Sequence, residues 1–163
     1  MLVFFRVLFA SLGLGIYFVC LRSKLSLRYW WIFALIGFFN VAFPFALISW
    51  AETHISSGLA SILNSTVPLF TMIIASFFFK DDRITLARGL GLVVGFSGVL
   101  VLSYTRLEGN TEYQTAGILA MLIAACAYGA STVFARRVDK YVTPQEHSLG
   151  QMLAGLLFIT PMM

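Results

Sequence analysis

Six oily stretches alternate with short polar links along the 163 residues. They run about Leu2–Leu21, Tyr29–Trp50, Ser57–Phe79, Ile84–Tyr104, Thr115–Ala135 and from Gln145 onward. Most match the roughly 20 apolar residues that a helix needs to cross a bilayer. The alternation of a membrane β-strand is absent, and the runs are about twice such a strand's length. The pattern predicts an all-α membrane protein, a bundle of about six transmembrane helices in a lipid bilayer.

Polar residues interrupt two of these runs in the same way. From Ser57 to Phe79 no residue is charged, yet Asn64, Ser65, Thr66 and Pro68 sit in the middle. A proline inside a helix deprives the carbonyl four residues earlier of its donor, here that of Asn64. Asn40 and Pro44 repeat the spacing in the second run. Hydrocarbon satisfies none of these groups, so they must face other helices or a water-filled path. Both readings stand: kinked helices with polar contacts to their neighbours, or a substrate path. Phe39, Phe43, Leu47 and Trp50 recur at helical spacing beside them, as a packing stripe or as an aromatic wall.

At the links, Ser56 or Ser57 is placed to cap the third run, and Thr143-Pro144-Gln145-Glu146 reads as the start of the last helix. Gly91 and Gly95 form a GxxxG that allows close helix approach. Arg6 is a thin positive flank for a cleaved leader; Arg22, Lys24 and Arg28 follow the first run, which argues for a retained span.

Composition sharpens the class. The chain is 60% hydrophobic and 11% charged, with mean hydropathy +0.90, unlike a soluble domain. The net charge of +4 does not imply nucleic acid here. Nine of the 11 Lys and Arg residues fall in alternate links, at 22–28, 80–88 and 136–146, and by the positive-inside rule these links are cytoplasmic in a plasma membrane of bacterial inner-membrane type. Cys20 and Cys126 lie inside apolar runs without metal-ligand spacing, so neither a disulfide framework, a metal nor another cofactor is expected. Nor is an enzyme: His54 and His147 fall on opposite sides of the membrane in this topology, and no nucleophile–base pair is evident. Glu52 and His54 are candidates for proton coupling, against the reading of a solvated link.

The segment ISWAETHISSGLASILNSTVPLFTMIIASFFFKDDRITLARGLGLVVGFSGVLVL resembles the EamA-like transporters of the drug/metabolite transporter superfamily. The matching features are Ser57, Gly58 and Ala60 at a helix start, then Pro68, then an acidic-basic turn, Asp82-Arg83, opening a Gly-rich helix. Arg6, AYGASTVFARRV and GQMLAGLLFITP also resemble family segments. The resemblance implies a ten-helix fold of two inverted five-helix repeats. Residues 1–104 then correspond to the last four helices of the first repeat, and 105–163 to the start of a second, truncated one. Arg6–Ala10 overlays Gln151–Gly155 weakly at an offset of 145, consistent with inverted repeats. The implied function is export of small metabolites such as amino acids by alternating access. The substrate-path residues are then Asn40, Phe43, Trp50, Asn64, Ser65, Thr66, Tyr128 and Ser131, with Pro44 and Pro68 as kinks. The alternative is a non-transporting assembly or regulatory subunit, or an inactive fragment. Oligomeric state, including a homo-oligomer, is left open.

Overall fold

Proline and hydroxyl chemistry decides where the helices run straight and where they give way. The computed structural model describes residues 2–20, 29–79, 84–104, 112–138 and 141–160. The charge-bearing positions 22–28, 80–83, 106 and 140 lie outside them, as does the Asp82-Arg83 turn. Every regular element among the described residues is helical: α1 (Leu2–Cys20), α2 (Trp30–Gly37), a π-helical segment (Phe38–Ala42), α3 (Phe43–Ala51), α4 (Ser57–Asn64), α5 (Val67–Phe78), α6 (Leu86–Tyr104), α7 (Glu112–Val138) and α8 (Pro144–Ile159).

Four runs among the described residues are long and apolar enough to cross a membrane: Trp30–Ala51, Ser57–Phe78, Leu86–Tyr104 and Tyr113–Val138. The first and last expected spans are helices too, of 19 and 16 residues. In α1 the apolar part is the shorter Phe5–Tyr17.

Two details differ from a plain kinked-helix expectation. Pro44 was expected to free the Asn40 carbonyl alone. Instead the helix widens ahead of it: the Phe43 N–H bonds to the Phe38 carbonyl five residues back, so Phe39 and Asn40 both lose their α-helical donors. The third run stays one helical span, Ser57–Phe78, but its α-helical bonding is interrupted at Ser65 and Thr66, which keep right-handed helical dihedrals while the Thr66 and Leu69 N–H groups bond three residues back. Pro68 then falls in the first turn of α5, where a missing N–H costs little. Ser56 caps α4 by accepting from the Leu59 N–H at 3.3 Å. Thr143 and Glu146 form the expected reciprocal cap of α8.

The chain divides into two compact units. In the first, Met1–Phe43 with Phe134–Met163, α8 packs along α1, α2 and the π segment. A core of Phe33, Ile36, Val138 and Val142 fills this unit. Gly37 sets how closely α8 approaches: a Cβ there would lie 2.6 Å from the Gln151 carbonyl oxygen and 2.7 Å from Ala154 Cβ. The second unit is Pro44–Val133. Its core joins Ala51, Ile55, Leu59, Ala60 and Leu63 to Ala120 and Met121 of α7. Of the expected GxxxG on α6, only Gly95 makes a close approach, to Leu69 of α5, while Gly91 meets nothing within 4 Å. Only 6% of the α6 span is buried.

Candidate functional site

The interruption between α4 and α5 gathers polar groups midway along an uncharged span, and most of them satisfy one another. Ser65 Oγ donates to the Ile62 carbonyl and Thr66 Oγ1 to the Leu63 carbonyl, each at 2.6 Å. The Thr66 carbonyl accepts from the Leu69 and Phe70 N–H groups at 2.9 and 3.0 Å. The two hydroxyls thus bond carbonyls at the end of α4, the enclosed Thr66 bond worth about 1 kcal/mol and the exposed Ser65 bond less. Thr66 is fully enclosed, whereas Asn64 and Ser65 are exposed. The Asn64 side chain has no hydrogen-bond partner among the described residues. It is the polar group of this interruption still available to a ligand.

Trp50 ends α3, half exposed, in a ring stack with the link that follows. Its ring lies 4.4 Å from that of His54, which lies 5.7 Å from Tyr113 at the start of α7. Thr53 Oγ1 donates to the Trp50 carbonyl at 2.6 Å. His54 Nδ1 lies 2.8 Å from that same hydroxyl and 3.0 Å from the same carbonyl. Glu52, the other coupling candidate, is exposed in the turn. Gly117 seats the turn on α7, since a Cβ there would fall 2.9 Å from Ile55.

On α7, Tyr128 meets Phe45 edge-on at 6.5 Å. Ser131 is 4% exposed, and its Oγ is enclosed with no hydrogen-bond partner among the described residues. Thr132, next to it, is exposed and bonds back to the Tyr128 carbonyl at 2.8 Å. These neighbouring hydroxyls therefore divide between an inward and an outward face. Nearby, Gly129 lets α7 approach α5, with Thr71 N 2.9 Å from a Cβ built there.

Asn40 and Phe43 belong to the first unit. Asn40 Nδ2 donates to Gln151 Oε1 of α8 at 3.0 Å. Gln151 was not singled out as a site residue, although an amide in the oily last run was a visible signal. Phe43 stands in a row of rings with Phe38, Phe39 and, on α8, Phe158. Pro44 and Pro68 stand beside the π segment and the interruption respectively. No cluster of three or more metal-ligating side chains occurs among the described residues.

Four apolar helices of spanning length among the described residues, one of them with polar side chains where its α-helical bonding is interrupted, define a multi-pass helical membrane protein. The model of the EamA-like transporter family matches residues 1–104, and the chain belongs to that family. It is 32% identical to the "Uncharacterized transporter YdfC" of Bacillus subtilis over 86% of this chain and 45% of that protein. It is 29% identical to a "Probable terminal-alkyne amino-acid exporter" of Streptantibioticus cattleyicolor over 72% of this chain and 38% of the relative. An "Uncharacterized inner membrane transporter YedA" of Escherichia coli is 26% identical over 77% of this chain and 40% of its own length. The chain spans less than half the length of these curated relatives. No solved structure matches.

Proposed function

We propose that this chain forms part of an alternating-access carrier that exports small metabolites such as amino acids. The observation that carries the reading is the span Ser57–Phe78, whose α-helical bonding is interrupted midway, with the exposed Asn64 unpartnered among the described residues beside that point. Carriers build midplane binding sites at such interruptions of their spans. Asn64 and Ser65 are the polar contacts, and Thr66 holds the shape of the interruption. Asn40 and the enclosed Ser131 hydroxyl supply further polar points. Phe43, Trp50 and Tyr128 are the walls, and Pro44 and Pro68 fix the bends. Residues 1–104 are the end of a first repeat and 105–163 the start of a second; the family match ending at Tyr104 supports that division. The links at 22–28, 80–88 and 136–146 face the cytoplasm of a bacterial-type inner membrane, which the charge distribution favours. The likeness to a relative named as an amino-acid exporter supports the substrate class.

Cells expressing the native gene should tolerate or export at least one amino acid better than cells lacking it. Asn64→Leu should reduce that advantage several-fold at equal membrane level. No advantage for the wild type across the amino acids would overturn the carrier reading, and an unchanged Asn64→Leu would remove Asn64 from the path.

A further inference from the structure

The bond between Asn40 and Gln151 leaves more unmade than it makes. One amide pair uses a single donor and a single acceptor. Asn40 Oδ1, its second N–H and both N–H groups of Gln151 remain. Reversing both amides exchanges the roles and leaves the same count. Among the described residues neither side chain has a second partner, and none of the remaining atoms is enclosed. A donor and an acceptor are thus offered together in a setting where lipid satisfies neither.

Three neighbouring features make this more than a contact between helices. Asn40 lies in the π-helical segment, where two successive carbonyls have lost their α-helical donors, and such segments recur at functional sites. An apolar row flanks it: Phe38 meets Phe158 edge-on at 5.3 Å, and Phe43 lies 5.9 Å from Phe38 and 6.1 Å from Phe39. Phe39 and Phe158 are exposed. Finally, α2, the π segment and α8 from Leu149 onward carry no ionisable side chain. The two amides are uncharged and their own helices bring no compensating charge, which disfavours an ion; α1, which also packs on α8, carries Arg6.

We propose that Asn40 and Gln151 jointly bind the head of a neutral solute that presents a donor and an acceptor side by side, as a primary carboxamide does. Its apolar part lies along the phenylalanine row. This deepens the small-metabolite carrier reading, on which its role as a substrate contact rests: the pair takes an uncharged amide, free or on a side chain, rather than the charged α-groups of an amino acid, and Gln151 joins the residues that set specificity.

The test follows the side-chain amide signals of the 15N-labelled full chain in detergent micelles as phenylacetamide is added. The sequence has three Asn and three Gln, and Asn40→Ser and Gln151→Ser identify the two signals of interest. These two should shift saturably with one midpoint while the other four stay still. Phenylacetate, similar in shape but charged, should need about tenfold more, the effect of one poorly matched hydrogen bond. Unmoved signals, or equal movement of all six, would overturn the proposal and leave the pair as a contact between helices. An equal response to phenylacetate would overturn the preference for a neutral head. Saturable shifts without export in cells would remove the carrier reading alone; export with unmoved signals would remove this proposal alone.

Discussion

Thr66 and Asn64 stand two positions apart in one uncharged run, yet their side chains meet opposite surroundings. The Thr66 hydroxyl is enclosed and closes the Leu63 carbonyl. Replacing it with valine keeps the shape and removes one of two donors to that carbonyl, which still accepts from the Thr66 N–H at 3.1 Å, so Thr66→Val should cost about 0.5–1.5 kcal/mol of stability. Ser65→Ala, at an exposed position, should cost under about 1 kcal/mol. Unfolding of the purified chain in mixed micelles measures both. At this scale the sequence was half legible. Amides and hydroxyls inside oily runs marked Asn40, Asn64, Ser65 and Thr66 as residues with a reason to be there. Which of them faces inward is set by rotation about the helix axis, which adjacent positions change by about 100°. That is why Ser131 is enclosed and Thr132 exposed, and why Gln151 went unremarked until Asn40 met it.

The helices themselves were legible to within a few residues, because apolar length and capping are local properties. What the chain does at a proline is not local. Pro44 and Pro68 each stand four residues after an asparagine, yet one helix widens into a π turn and the other tightens to bonds three residues back. The first keeps α8 against it through Gly37. The second has serine and threonine hydroxyls that add to the bonds on the Ile62 and Leu63 carbonyls. Pro44→Ala restores a donor to the Asn40 carbonyl and should return the segment to α register, turning Asn40 away from Gln151. A double-mutant cycle between those two residues should therefore show coupling of about 0.5–2 kcal/mol in the wild type and none in the Pro44→Ala background. Close helix approach separates the glycines likewise: Gly37→Leu should cost about 1–3 kcal/mol by overpacking. Gly91→Leu, with nothing within 4 Å, should stay within about 0.5 kcal/mol of wild type.

Across the molecule, length and oiliness announced a membrane protein, and the alternation of charge predicts an orientation. With Cys20 and Cys126 replaced by serine, Glu52→Cys should react with an impermeant maleimide on intact cells. Arg137→Cys should react only after the membrane is opened; the opposite pattern would invert the topology. The division into two units was beyond reach of the sequence, since it depends on contacts such as Phe33 with Val142 that join distant stretches.

The scant burial of α6 carries a consequence for how its residues tolerate change. Leu86, Leu90, Val94 and Val101 are all well exposed, so any side chain that dissolves in hydrocarbon should serve there. A saturation library should find these positions interchangeable among leucine, isoleucine, valine and phenylalanine but closed to arginine, aspartate and lysine. At Gly95, where a Cβ meets the movable end of the Leu69 side chain, alanine should be taken up by a small shift of Leu69, and the buried Leu92 should be the α6 position least tolerant of a change in size.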